Sequence, residues 1–165
     1  MEAICEVLEY VEAEIIEQEY MPKVQFFLKI ENHSQPEFTE SISLCFGKIV
    51  HKLAKVGLLK PYLADFLAFF NTIKDHDEEK IRKLAVYNLP GLHLLFKPFK
   101  GEVDVDWPKE YQTFLEDDSK IRKAAAKSLH EAFLLVEADE DSTVLRDCLH
   151  DLMTDGTKKI LSIIN

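Results

Sequence analysis

Two segments of this chain carry nearly the same text 40 residues apart. Asp77-Glu78-Glu79-Lys80-Ile81-Arg82-Lys83 returns as Asp117-Asp118-Ser119-Lys120-Ile121-Arg122-Lys123. The echo continues past these segments, because Ile81, Ala85 and Leu89 recur as Ile121, Ala125 and Leu129. Apolar residues at four-residue steps mark one face of an α-helix. A period of about 40, each unit opening on an acidic turn, is the length of two helices folded against each other. One such hairpin cannot bury its apolar face alone, so a chain built this way folds by stacking each hairpin on the next.

The expected fold class is therefore all-α, an alpha-alpha superhelix of the HEAT/armadillo solenoid type with about three and a half helical hairpins. Ile4, Val7, Leu8, Val11 and Ile15 predict a first helix over about Glu2 to Gln18, and Met21-Pro22 opens a second to about Ile30. Proline suits a first turn because its missing donor would be unsatisfied there anyway. From Pro36, the residues Phe38, Ile42, Phe46, Ile49 and Leu53 predict a third helix, with Gly57 as its stop. It aligns with the Ile81 helix at an offset of about 43. Pro61 to Ile73 reads as the next front helix, buried through Leu63, Phe66, Leu67 and Phe70, with a turn at Asp75–Glu79. The Ile81 helix reaches about Phe96, and Pro90 inside it predicts a kink between Val86 and Pro90. After the irregular Lys97–Trp107 connection come helices over Pro108–Leu115 and Ile121–Val136, a turn at Ala138–Ser142, and a helix over Val144–Met153. Gly156–Asn165 begins one more helix whose Leu161, Ile163 and Ile164 look uncapped. Residues 1–165 thus read as a single array and a fragment of a longer solenoid.

Composition fits that picture. With 47% hydrophobic residues and five glycines among 165 residues, the chain can form one continuous core and long uninterrupted helices. The net charge of −10 is uneven: Met1–Glu19 holds seven glutamates and no Lys or Arg, leaving the rest nearly balanced. A solvated helix face is the plain reading of that run. Nucleic acid as a partner is disfavoured, since phosphate contacts need a basic field. No apolar stretch approaches the ~18 residues of a membrane span, and no signal peptide pattern opens the chain. Cys5, Cys45 and Cys148 are too scattered for a disulfide framework or a metal site. They suit a reduced compartment, the cytoplasm with the nucleus also open to it.

Catalytic chemistry is not visible. The six histidines include Cys148/His150, two apart, and the adjacent pairs His130-Glu131 and His150-Asp151, spacings that do not share a helix face. Asp75, Asp77, Glu78 and Glu79 lack the glycine and ligand spacing of a calcium loop and read better as helix caps. No phosphate loop or nucleophile elbow is present. The expectation is no enzyme, no cofactor and no metal. Arg82 and Arg122 are expected to pair with acidic residues of the neighbouring turn, whereas Lys83 and Lys123 lie on a different face, freer to meet a partner. Trp107 is expected either to cover the edge of the core or to anchor an interface.

The segments Ala85-Val86-Tyr87-Asn88-Leu89-Pro90-Gly91, Trp107, Lys120-Ile121-Arg122-Lys123 and Ser128-Leu129-His130-Glu131 resemble the HEAT-repeat regulatory subunits of protein phosphatase 4 and, more distantly, the scaffold subunit of phosphatase 2A. The likeness covers about Tyr62 to Asn165. The chain departs from it in the Val86 insertion and in an enlarged Lys100–Asp106 connection, and it is far shorter than such subunits. The resemblance implies a non-enzymatic scaffold that holds a Ser/Thr phosphatase catalytic subunit, through the turns inside the hairpins, and so directs substrate choice. Carried onto this sequence, those turns are Asp75, Asp77, Lys80 and Lys83, then Asp117, Lys120 and Lys123, with Trp107 as a further anchor. The alternatives are a nuclear-transport or trafficking adaptor of the same architecture, which the overall acidity would suit, and an enzyme with a dispersed site.

Overall fold

The computed structural model describes residues 6–8, 10–33, 35–135, 143, 145–148 and 150, and among them the chain is all-helical. Seven α-helices are delimited among the described residues: α1 (Ala13–Ile15), α2 (Met21–Leu28), α3 (Pro36–Lys55), α4 (Leu63–Lys74), α5 (Glu79–Phe96), α6 (Trp107–Glu116) and α7 (Ser119–Leu135). The expected turn at Ala138–Ser142 and the helix from Gly156 lie outside the described residues. So do parts of the expected Glu2–Gln18, Ile121–Val136 and Val144–Met153 helices.

The first two elements differ from the expectation. The helix does not run evenly to Gln18; a turn and bend interrupt it between Leu8 and Val11. From Ala13 the chain is then helical to Leu28, through a π-helical turn at Ile16–Tyr20. Pro22 has no N–H to return to Gln18, and the wider turn lets the Met21 N–H reach the Ile16 carbonyl instead. The break also changes which face is buried. Leu8 and Ile16 are enclosed, while Val7 and Ile15, both expected in the apolar stripe, are exposed.

Further along, spacing and structure agree closely. Ile42, Phe46, Ile49 and Leu53 of α3 are fully buried, and Gly57 follows the helix with φ +76, a left-handed stop that costs glycine nothing. Two bonds close that end, Gly57 N–H to Ala54 and Leu58 N–H to Leu53. Leu63, Phe66 and Phe70 of α4 are buried, with Phe69 and Ile73 added.

The packing is in two layers. Helix α5 lies along α3 on one side and along α7 on the other, while α4 packs on α5 and α6 on α7. The sequence period thus becomes a contact period. Asn88 Nδ2 donates to the Ser43 carbonyl at 3.1 Å, and Ser128 Oγ donates to the Val86 carbonyl at 3.0 Å. Gly47 faces the Asn88 amide so closely that a Cβ there would collide with it. Outside this layer, Gln25 bonds Asp65, 40 residues on, at 2.7 Å.

Helix α5 is continuous through Pro90, from Glu79 to Phe96. Pro90 cannot donate to the carbonyl four residues back, which is that of Val86. The Ser128 hydroxyl of α7 takes up this stranded acceptor, so the imperfection in one helix becomes a bond between two.

Candidate functional site

Seven of the eight residues expected to meet a partner lie at one end of the layered array, around the turns before α5 and α7. Asp75 and Asp77 occupy the first turn, exposed. Arg82 folds back onto that turn, its guanidinium donating to the His76 and Asp77 carbonyls at 2.9 and 3.0 Å. The same group reaches the next turn, with Nε 3.4 Å from Asp117 and Nη2 3.0 Å from Asp118. The expected pairing of this arginine with acidic residues of the neighbouring turn is therefore present, and Asp118 shares it.

A second chain of charge runs across three helices. Lys80 on α5 reaches Glu40 on α3 at 2.9 Å and Glu78 at 3.3 Å. Glu79 accepts Lys83 from its own helix at 2.6 Å and Lys120 from α7 at 2.9 Å. Capping adds to it, since Asp118 accepts the Lys120 and Ile121 backbone N–H groups at 2.8 and 3.1 Å. These bonds hold the Asp118 carboxyl below its ordinary value, first through the Ile121 and Lys120 amides and then through Arg82. Glu79 is held down by Lys83 and then Lys120, and the Lys80 and Lys120 amines are raised by Glu40 and Glu79 respectively.

Lys80, Lys83 and Lys120 are thus already paired within the chain. Lys123, one turn further along α7, is exposed and makes no ion pair among the described residues. Trp107 stands apart from the other seven, at the far end of α5. It opens α6, is 7% exposed, and stacks on His93 with ring centroids 5.7 Å apart. Phe70 and Phe96 close around the same indole at 6.2 and 5.9 Å. Of its two expected roles, it occupies the core-covering position. A cavity of about 300 Å³ opens beside it, walled by Phe96, Val103 and Val105.

Sequence reasoning passes over Glu40, Glu79 and Asp118 as members of this network. The signal is present in the register: Lys80 and Lys120 are equivalent, and Glu40 and Glu79 each lie about one period before the lysine they meet. Asn88 and Ser128 are likewise 40 residues apart and equivalent in that register, and each donates to a carbonyl of the preceding helix of the layer. Among the described residues no group of His, Cys, Asp and Glu is arranged to hold a metal ion, and no helix is long and apolar enough to cross a membrane. The arrangement is a cross-braced, charged edge that links α3, α5 and α7.

No protein-family model matches the chain, and neither a search of curated proteins nor one of solved structures returned a match.

Proposed function

We propose that this chain is a stack of HEAT/armadillo-type hairpins acting as a non-enzymatic scaffold, and that its partner is a Ser/Thr protein phosphatase catalytic subunit of type 4 or 2A-like character, whose substrate choice it directs. One observation carries the scaffold reading: residues about 40 apart bond to one another from α3 through α5 to α7, so the sequence repeat is also the unit of packing. Such a stack offers a broad side-chain surface, and a specific interface needs roughly 1,200–2,000 Å² in total. The phosphatase as partner rests on the family-like segments around Tyr87 and Ser128. The turn residues Asp75, Asp77, Lys80, Lys83, Asp117, Lys120 and Lys123 are the proposed contact, because they are gathered on one edge, where ion pairs hold Lys80, Lys83, Asp117 and Lys120 in a fixed arrangement.

The test is co-elution of this chain with purified type 4 and type 2A catalytic subunits, compared with the Lys83→Glu/Lys123→Glu variant. A one-to-one complex with the wild-type chain, weakened at least tenfold in the variant, is the expected result. Lys123 is exposed and Lys83 makes one half-exposed pair with Glu79, so the melting curve should move by no more than about 1 kcal/mol equivalent. Equal binding by both proteins, with equal melting, would remove the turns from the contact. The adaptor reading gains little from the charge distribution. The acidity that would draw basic cargo is concentrated before Met21 and does not repeat along α3, α5 and α7.

A further inference from the structure

The side of the α3–α5–α7 layer that faces away from α4 and α6 carries an aligned apolar band inside a basic border. Its position follows from the inter-helix bonds. On α5, Asn88 reaches toward α3 and the Val86 carbonyl toward α7, so Tyr87 between them points away from both neighbours and from buried Ala85 and Leu89. Leu44 follows Ser43 and Lys127 precedes Ser128 in the same phase, which places Leu44, Tyr87 and Lys127 in one row across three helices. Two turns further on, His51, Leu94 and Leu134 form a parallel row. Leu44 and Tyr87 are each 57% exposed, Leu94 39% and Leu134 73%. Large apolar side chains aligned on one exposed face mark a contact surface more often than scattered ones do.

Among the described residues of that face lysines outnumber carboxylates. Lys48, Lys123 and Lys127 are exposed, and none makes an ion pair among the described residues. Glu131 on α7 and Glu37 on α3 are the exposed carboxylates of the same stripes, while Glu40 is taken by Lys80. A basic face on a chain of net charge −10 is a local inversion of the overall field. Charges act over a Debye length of about 8–10 Å, so a short ligand senses the lysines beneath it and little of the remote glutamates. An extended anionic membrane would meet the whole acidic chain and be repelled by it.

We propose that this face binds an acidic peptide segment of a partner protein, with a bulky aliphatic or aromatic side chain seated over Leu44, Tyr87 and Leu94 and carboxylates at Lys48 and Lys127. Helices packed 8–10 Å apart put the axes of α3 and α7 about 16–20 Å apart, the span of about five to six extended residues. The inference rests on the scaffold reading and not on the identity of the phosphatase. Loss of peptide binding with catalytic-subunit binding intact would overturn it alone.

The experiment is fluorescence anisotropy with labelled peptides of about ten residues, long enough to cross the face: Glu-rich ends around a Leu-Phe centre, the same peptide with Lys for Glu, and the same with Ser for Leu-Phe. The first should bind the wild-type chain, more weakly as salt rises, and the other two at least tenfold more weakly. Lys48→Glu/Lys127→Glu and, separately, Tyr87→Ser should each weaken the first peptide about tenfold or more. All three positions are exposed, so circular dichroism should report folded variants. No binding of the first peptide, or equal binding by wild type and both variants, overturns the proposal. So does co-sedimentation with phosphatidylserine vesicles that the acidic peptide fails to displace. Self-association of the chain that the same substitutions abolish would identify the occupant as a second copy and overturn it too.

Discussion

Removing the Ser128 hydroxyl should cost more than its size suggests, and the reason lies in a different helix. Ser128 Oγ donates to the Val86 carbonyl at 3.0 Å, in a place where Ser128 is 2% exposed and Val86 0%. That carbonyl would ordinarily accept from residue 90 of its own helix, but residue 90 is proline. Ser128→Ala therefore leaves a buried acceptor unmet, at a cost of about 1–3 kcal/mol. For a chain of this length that is a fall in Tm of about 2–4 °C per kcal/mol. Pro90→Ala returns an N–H to the helix and gives Val86 its own donor. In that background Ser128→Ala should cost less than in the wild type, the difference being a coupling between the two sites on the order of 1 kcal/mol. Urea unfolding followed by far-ultraviolet circular dichroism, with Trp107 fluorescence as a second probe, measures all four proteins. An equal cost in both backgrounds would refute the reasoning and assign the effect of Ser128 to packing alone.

Three further outcomes are expected. Leu129 of α7 is fully buried, so Leu129→Ala should lower the unfolding free energy by about 2–5 kcal/mol; a change near zero in urea titration would show that the helix phase is wrong. Two helical glycines should respond with opposite signs: Gly91→Ala meets nothing within 4 Å and should stabilise by about 0.5–1 kcal/mol, whereas Gly47→Ala displaces the Asn88 amide from the Ser43 and Leu84 carbonyls and should destabilise by about 1–2 kcal/mol. Stability should also fall at both extremes of pH. The Asp118 and Glu79 carboxyls sit lower in the folded chain than in the unfolded one, so their contribution is present above about pH 4 and lost as pH drops through the folded values. The Lys80 and Lys120 amines sit higher when folded, so theirs is complete below about pH 10 and lost as pH climbs through the folded values. Urea midpoints that rise on acidification below pH 4 would contradict this.

Periodicity makes most of the helices readable. The steps Phe38-Ile42-Phe46-Ile49-Leu53 and Ile81-Ala85-Leu89 locate α3 and α5 because burial on one side of a helix repeats every three to four residues. Ends are readable where a residue has a backbone reason to stand there, as Gly57 does after α3. Reading fails before Met21, where the spacing of Ile4 to Ile15 suggests one helix. Pro22 and the wide turn at Ile16–Tyr20 re-phase the chain there, and periodicity cannot register a change of hydrogen-bond step.

The candidate site divides in the same way. That Lys80 and Lys120 are equivalent, that acidic residues precede both, and that Arg82 stands within reach of a charged turn can all be read from the order of residues, because they follow from a period along one dimension. That Glu79 shares itself between Lys83 and Lys120, that Trp107 goes inside against His93, and that Ser128 completes the bond Pro90 cannot make required the folded chain. Each of those depends on which helix faces which, and at what rotation. Period and composition leave that choice open, and the packing of side chains between α3, α5 and α7 closes it.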